Sequence, residues 1–373
     1  MTYTKLPGVY FSEEVLSTVV DSSTEYAPLF LVQTSTSIAQ IDDKITYFES
    51  IDAFKTIAEN KGLAKSIVAI EQILNEYQSQ RFYVCNIHTD TSASITAVLN
   101  DSADKKDIQD IIYIEETKSG QANSLNAKIK AIESSVVNNS QNGSFRTAII
   151  LPYGTVADAV ANKGDNDLTS TVVISTLSSA FTGVKSGRII GVVPDETSMG
   201  VVAGHIIATE YYRESGFDPI GIEGVLNYTF TYSEMLTLQN MGICFVREEI
   251  RNGVKVYRIN LGVTISFADS GADGLIKARK TVDALLRRVE EDCENIIKSE
   301  DVETSRVFIQ TECDSIVQEF IDNRYIAKEV TIDGTKYTSK LTVAAVDRFT
   351  IQITGTLIPT GTLIAINVNT TIR

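Results

Sequence analysis

Histidine is the side chain most often used for acid–base and metal chemistry near neutral pH, and this sequence holds only two, His88 and His205. They lie far apart, and neither belongs to an H-E-x-x-H motif or to another metal-ligand spacing. No G-x-S-x-G nucleophile motif, P-loop or G-x-G-x-x-G dinucleotide motif is present. We interpret His205, within Ala-Gly-His-Ile-Ile, as a core or interface residue. The sequence therefore predicts no catalytic, cofactor-binding or metal-binding residues, and no enzyme of a familiar class.

Two acidic segments contain the carboxylate oxygens that calcium prefers, Asp165-Asn-Asp167 and Asp269-Ser-Gly-Ala-Asp273-Gly274. Both lack the closing glutamate and the spacing of an EF-hand, so we interpret them as polar turns.

The cysteines form no C-x-x-C pair, and we expect buried thiols in a reducing cytoplasm. They are Cys85, Cys244, Cys293 and Cys313.

Charge and composition narrow the class of partner. The 373 residues carry a formal net charge of −15, and we predict no nucleic-acid partner because phosphate binding needs clustered lysine and arginine. With 43% hydrophobic and 22% charged residues, the composition is that of a globular protein. The first residues lack the apolar region of a secretion signal, and no apolar run approaches the about 20 residues of a membrane span. We expect a protein that is made and soluble in the cytoplasm and does not insert into a membrane.

Between residues 26 and 215, short apolar segments alternate with segments of helical periodicity, which predicts a mainly parallel sheet covered on both faces. The strand candidates are 26–33, 81–87, 111–114, 145–151 and 188–193. The helix candidates are a segment capped by Ser50 and segments 62–78, 102–110, 122–137 and 199–212, with further helical residues up to 181.

The organisation changes near Gly216, after which short strands and two long helices follow. The Asn252-Gly253 turn is the strongest hairpin signal in the chain. The predicted strands are 225–230, 243–246, 254–259, 263–267, 326–332, 337–346 and 348–355. The predicted helices, 275–298 and 304–323, each carry one apolar stripe, so this half is expected to be α+β.

Two strand-like segments have no evident local partner. One is Val9, Tyr10 and Phe11, which follows a Pro-Gly turn signal. The other is the last stretch, in which Ile364, Ile366 and Val368 alternate with smaller or polar residues at the period of a half-buried strand. A strand needs a partner along its edge, either earlier in the chain or in another molecule, and we expect a pairing between molecules.

The sequence resembles the tail sheath proteins of contractile phage tails and phage-tail-like particles. The resemblance rests on Ser198-Met-Gly-Val-Val-Ala-Gly204, on Leu238-Gln-Asn-Met-Gly-Ile-Cys-Phe-Val-Arg247 and on the opening Pro7-Gly8-Val9-Tyr10-Phe11-Ser12-Glu13-Glu14. It covers both ends and the second half, and residues 34–145 carry little of it. The chain is short for this family, and Ile259-Asn-Leu-Gly-Val-Thr264 replaces the W-G-x-R-T often found there.

The resemblance implies a structural subunit that polymerises as stacked hexameric rings around an inner tail tube and contracts to drive that tube through a target envelope. It implies baseplate and tail terminator proteins as further partners, and a place in a virion tail or an extracellular phage-tail-like bacteriocin particle assembled in the bacterial host cytoplasm. Arms at both ends would add strands to the sheets of neighbouring subunits. It also implies that the outer domain moves most on contraction.

The expected fold class is therefore an α/β outer domain plus an α+β C-terminal domain, with extended N- and C-terminal β arms. The expected ranges are 1–25 for the first arm, 26–215 for the outer domain, 216–361 for the inner domain and 362–373 for the last arm. We expect the charged flank of the helix at 275–298 to meet the tube or another subunit through Arg287, Arg288, Glu290 and Glu291. The alternative is an α/β enzyme with an unrecognised active site in residues 26–215.

Overall fold

The computed structural model describes residues 26–34, 36–79, 81–88, 91–116, 124–141, 144–161, 169–216, 219–267, 274–299, 302–332, 334–347, 350–360 and 366–372. The helices are α1 (Ile51–Ala58), α2 (Ala64–Tyr77), α3 (Ser92–Asp101), α4 (Leu125–Gln141), α5 (Tyr153–Ala161), α6 (Thr169–Ala180), α7 (Met199–Ala208), α8 (Tyr232–Asn240), α9 (Ile276–Ser299) and α10 (Val302–Asp322). The strands are β1 (Leu29–Gln33), β2 (Thr46–Phe48), β3 (Phe82–Asn86), β4 (Asp110–Glu115), β5 (Thr147–Leu151), β6 (Ile189–Val192), β7 (Pro219–Ile220), β8 (Ile243–Cys244), β9 (Val246–Arg251), β10 (Val254–Ile259), β11 (Glu329–Ile332), β12 (Thr335–Thr338), β13 (Lys340–Asp347), β14 (Thr350–Leu357) and β15 (Ile366–Ile372).

The largest sheet has the strand order β2-β3-β1-β4-β5-β6-β8, and every pairing is parallel except that of β2 with β3. Its inner strands are almost wholly buried, as expected for strands covered by helices on both faces. Two separate apolar clusters lie on the two faces. The predicted mixed α/β architecture is confirmed.

Helices α2 and α7 pack closely because α7 carries two glycines on the face that meets α2. A Cβ atom on Gly200 would lie 2.7 Å from the carbonyl oxygen of Ala69. One on Gly204 would lie 2.9 Å from the Cα of Ile73. These glycines belong to the segment on which the family resemblance rests, and their physical role is the close approach of two helices.

The second half contains three smaller sheets, with strand orders β7-β10-β9, β11-β12 and β13-β14-β15. The predicted Asn252-Gly253 hairpin is confirmed, since both residues have positive φ, +49° and +78°, between β9 and β10. Helices α9 and α10 bury their apolar stripes against each other and against β13, β14 and β15 in a third apolar cluster. The predicted pair of long amphipathic helices is confirmed.

Several local expectations are wrong. The helix expected at 102–110 lies earlier in the chain, as α3, and ends at Asp101. The residues that follow α3 surround the buried guanidinium of Arg146. Arg146 donates from Nη1 to Ser102 Oγ (2.6 Å) and from Nη2 to the carbonyl of Lys105 (3.1 Å). Nη2 also donates to the carbonyl of Ser102, so the guanidinium provides hydrogen-bond donors for the carbonyls of Ser102 and Lys105 where the helix has ended.

The strands expected at 225–230 and 263–267 do not form, because their backbone groups bind elsewhere. The buried carboxylate of Asp195 accepts the N–H of Asn227 (2.6 Å) and that of Thr197 (2.8 Å), which holds the first segment as a loop. In the second, the N–H of Ile265 donates to the carbonyl of Ile189 (2.9 Å). The expected boundary between residues 215 and 216 does not separate the sheets. Strand β8, which comes after that boundary, pairs with β6 in the parallel sheet.

Replacing Gly204 with alanine should destabilise the fold, because the added Cβ would be forced against the backbone of α2. We expect the free energy of unfolding to fall by about 1–3 kcal/mol, the usual range for overpacking. Gly221→Ala is the matched control, since a Cβ there meets no heavy atom within 4 Å. Urea denaturation of the three proteins measures the difference, and equal midpoints would contradict this account of the helix contact.

Candidate functional site

The last strand has a partner within its own chain. β15 pairs antiparallel with β14 from Leu357↔Ile366 to Ile351↔Ile372. Ile366 and Val368 are 3% and 6% exposed and belong to the apolar cluster under α9 and α10. The expectation that this segment lacks a local partner is therefore wrong: β15 occupies the edge of β14 opposite β13, and Ile366 and Val368 cover the apolar cluster below the sheet. Pairing between molecules stays a prediction.

The other residues predicted for the arms lie outside the described residues: Val9, Tyr10, Phe11 and Ile364. The two acidic segments considered for calcium also fall wholly or mainly outside them. Within the described ranges, no group of three or more His, Cys, Asp or Glu side chains could hold a metal ion.

The four charged residues predicted on α9 do not form one free surface. Arg287 faces its own chain, with Nη2 3.4 Å from the carbonyl oxygen of Phe145 and its guanidinium 5.9 Å from the centre of the Tyr26 ring. Glu290 forms an ion pair with Lys106 (3.2 Å). The structure thus turns these two side chains towards the α/β layers.

Arg288 and Glu291 occupy the exposed side of the same helix. Arg288 is 44% exposed and pairs with Asp292 one turn later, at 2.8 Å. Glu291 is also exposed, and partial burial of its carboxyl group raises its pKa. Of the four predicted contacts, these two are the ones that another molecule could reach without disturbing the fold.

A cleft of about 350 Å³ lies between α9 and the α/β layers, beside the turn that follows α7. Its most unusual group is Lys280, whose burial lowers its pKa to about 8. The ammonium of Lys280 donates to the carbonyls of Ile206 (2.8 Å), Ile207 (3.1 Å) and Thr209 (2.5 Å). It therefore caps the C-terminal end of α7, where the helix dipole favours a cation, and is engaged as a structural group.

One buried ion cluster joins α9 to the parallel sheet. Arg188, next to the start of β6, makes a bidentate pair with Asp283 of α9 at 2.7 and 2.9 Å. Arg279, one turn earlier on α9, donates to the same carboxylate at 2.7 Å. Burial alone would raise the pKa of Asp283, but the two guanidinium charges outweigh it and hold that pKa below its ordinary value. Sequence reasoning missed this cluster, although an aspartate beside an apolar stripe with arginine four residues earlier is a visible signal.

The carboxyl edge of the parallel sheet is where an α/β enzyme would bind its substrate. There the acidic side chains bind the ends of helices. Glu116 accepts the N–H groups of Lys65 (2.9 Å) and Ser66 (2.7 Å) at the start of α2. Glu115 accepts the N–H of Thr155 (2.8 Å) in α5. Glu196, after β6, bonds Lys65 and the Tyr153 hydroxyl. These carboxylates act as caps and anchors in the described part of this edge.

The fold is that of contractile tail sheath proteins. A sheath tail protein of Listeria innocua matches with a TM-score of 0.60 and 10% identity, over 98% of this chain and 99% of that chain. One of Desulfitobacterium hafniense matches with a TM-score of 0.57 and 10% identity, over 93% and 97%. The helical sheath of the anti-feeding prophage in its contracted state matches with a TM-score of 0.57 and 14% identity, over 99% and 96%. No protein-family model and no curated protein matches the sequence.

Replacing Asp283 with asparagine should lower the free energy of unfolding by about 3–5 kcal/mol, because two buried arginines would lose their countercharge. Asp292→Asn is the matched control, because its partner Arg288 is exposed and such pairs contribute about 0–1 kcal/mol. Chemical denaturation at pH 7 measures both.

The same variant predicts a pH dependence. Since the pKa of Asp283 is lowered by folding, its stabilisation is present above the ordinary carboxyl pKa of 3.8 and is lost as the pH falls through the lower folded-state value. The stability gap between the unmodified protein and Asp283→Asn should therefore be constant near pH 7 and shrink below about pH 4. A gap that stays constant down to the acid unfolding transition would contradict the ion-pair account.

Proposed function

We propose that this chain is the structural subunit of a contractile tail sheath. The observation that carries the proposal is the match to sheath chains over almost the full length of both partners, 98% and 99% in the Listeria innocua protein. A single shared domain would not extend the match across both the parallel sheet and the C-terminal helices and sheet. The acidic side chains at the carboxyl edge of the sheet act as structural anchors, which supports a role without catalysis.

In this proposal the subunits stack as hexameric rings around an inner tube and bind baseplate and tail terminator proteins at the ends of the sheath. Two of the similar structures are anti-feeding prophage baseplates and another is an extracellular contractile injection system sheath in its contracted state, which supports such assemblies here. The particle would be a virion tail or an extracellular bacteriocin-like particle assembled in the host cytoplasm.

No nucleic acid and no membrane insertion are involved in the proposed function of this chain. Among the described helices, none is both long and apolar enough to span a bilayer.

We also propose that β15 changes partner during assembly. A second copy offers β15 the same β14 edge and the same apolar cover, so exchange keeps the same backbone hydrogen bonds. Free energy for assembly then comes from the additional contacts between subunits. Exchange links each subunit to the next without creating a new kind of site.

The subunit is proposed to move as one body on contraction. Asp283 and Lys280 on α9 bind Arg188 and the end of α7, so independent rotation of the α/β layers would break buried charged contacts. This differs from our expectation that the outer domain moves most. Arg288 and Glu291, on the exposed side of α9, are the proposed contacts with the tube or a neighbouring subunit.

Assembly can be tested directly with the purified full-length protein. We expect rings or tubes with six-fold symmetry in negative-stain electron microscopy, alone or after co-expression with a tail tube protein. Light scattering should show a mass that rises with concentration. Monodisperse monomers under all of these conditions would contradict a sheath role.

Strand exchange predicts where a disulfide forms. Thr354 and Asn369 face each other in the β14–β15 register, so Thr354→Cys with Asn369→Cys places two thiols opposite one another. Mild oxidation of the monomer should close an intrachain disulfide, whereas oxidation of the assembled protein should give a covalent ladder on a non-reducing gel. Each single variant is the control, because the described native cysteines are buried. A ladder that never appears in assembled material would show that β15 keeps its own partner.

A further inference from the structure

Two of the four cysteines face each other between the two long helices. Cys293 on α9 and Cys313 on α10 are both fully buried, and both belong to the apolar cluster that these helices share with the last sheet. Their thiols are hydrogen-bonded to each other. Cys85 on β3 and Cys244 on β8 belong instead to the two clusters on opposite faces of the parallel sheet. Cys293 and Cys313 are therefore the pair of thiols placed to form a bond.

The surroundings of this pair favour the thiol form. The hydrogen bond to Cys313, burial and the neighbouring carboxylates of Asp292 and Glu312 all raise the pKa of the Cys293 thiol. Since the thiolate is the reactive form, exchange with intracellular disulfides is slow at neutral pH. Burial also keeps a bulky disulfide reagent away from the sulfur atoms. We therefore expect the pair to stay reduced in a reducing cytoplasm and to react, over long exposure, with a small neutral oxidant.

The pair lies where a small oxidant can reach it without unfolding of the whole chain. Cys293 is about two turns before the end of α9 at Ser299, and Cys313 is about three turns after the start of α10 at Val302. Helix ends open locally at a lower free energy than the whole fold. Opening at this end can admit the oxidant while the Arg188–Asp283 contact, further back on α9, stays formed.

We propose that Cys293 and Cys313 are an oxidation site, at which a peroxide joins α9 to α10 through a disulfide once the particle has left the reducing cytoplasm. The inference rests on the proposed function, because a contractile sheath acts outside the cell that makes it.

The chemistry needs only the two thiols and one peroxide molecule. One thiolate attacks an oxygen of hydrogen peroxide, the O–O bond breaks, and a sulfenic acid and hydroxide form. The other thiolate attacks the sulfenic sulfur, the S–O bond breaks, and a second hydroxide leaves as the disulfide forms. The two thiol protons convert the hydroxides into water. Both sulfur atoms are oxidised, and the peroxide is reduced to two molecules of water.

The disulfide would stabilise the second half of the chain. It would close a loop of about 20 residues, which restricts the unfolded chain. It would also fix α10, and the sheet that packs on it, to α9, which is bound to the parallel sheet through Asp283. The particle would thus gain resistance to unfolding outside the cell without a new contact between subunits.

The test uses the purified full-length protein, which is reduced, freed of the reductant, treated with hydrogen peroxide and alkylated. Digestion without reduction, followed by mass spectrometry, should give a pair of peptides linked through Cys293 and Cys313 and lighter by two hydrogen atoms than the free peptides. The urea midpoint should rise by about 1 M, the shift expected for a loop of this length, and should fall again on reduction.

Variants show which thiols cause the shift. Each protein is compared with itself before and after peroxide treatment. Cys293→Ala and Cys313→Ala should each lose the rise in urea midpoint. Cys85→Ala is the matched control, because it removes an equally buried thiol from the parallel sheet and should keep the rise. The peptide mapping is done on the unmodified protein, so the test does not depend on whether every variant folds.

The outcomes separate the oxidation site from the proposed function. Thiols at Cys293 and Cys313 that stay free, become sulfinic acids or pair with another cysteine would overturn the oxidation site, as would a linkage that leaves the urea midpoint unchanged. The expected linkage in a protein that never assembles would support the oxidation site and contradict the sheath role. Assembled particles whose two thiols stay free in peroxide would support the sheath role and overturn the oxidation site.

Discussion

The carboxylate of Asp283, buried between Arg188 and Arg279, determines how the parallel sheet and the helix α9 are joined. A buried charge is tolerated only where its partners stay in hydrogen-bonding geometry, because an uncompensated charge in this environment is strongly unfavourable. The contact therefore fixes both the distance and the rotation of α9 relative to β6. Lys280, three residues earlier, adds a second fixed point at the end of α7. Since α9 also carries the apolar stripe that supports α10 and the last sheet, the position of that sheet follows from the same contacts.

The outer strands of the sheet β13-β14-β15 are held by weaker contacts than this buried ion cluster. β15 is attached through backbone hydrogen bonds to β14 and through a few apolar side chains, and β13 meets Gln310 through two hydrogen bonds to a side chain. The bonds of β15 can be remade with the same strand of another copy at little net change in free energy, because the exchanged groups are chemically the same. A subunit with a fixed interior and replaceable edge strands is suited to a polymer that must rearrange without coming apart.

Much of the fold could be predicted because its signals are local. The apolar stripe of α9, the Asn252-Gly253 hairpin and the alternation of strands and helices follow from periodicity and turn chemistry. Partners could not be predicted in the same way. The period of β15 indicates which side chains are buried but not which strand lies beside it, and Arg188 and Asp283 are 95 residues apart. The sequence predicts a strand around Asn227, but the structure has a loop there, because the carboxylate that holds it, Asp195, is distant in sequence.

A cryo-electron microscopy reconstruction of the assembled protein before and after contraction tests both the fixed interior and the exchange of the edge strand. We predict that β15 lies on β14 of a neighbouring subunit in both states, while the Arg188–Asp283 contact is unchanged within every subunit. A reconstruction in which β15 stays on its own β14, or in which Asp283 separates from Arg188 between the two states, would contradict the account.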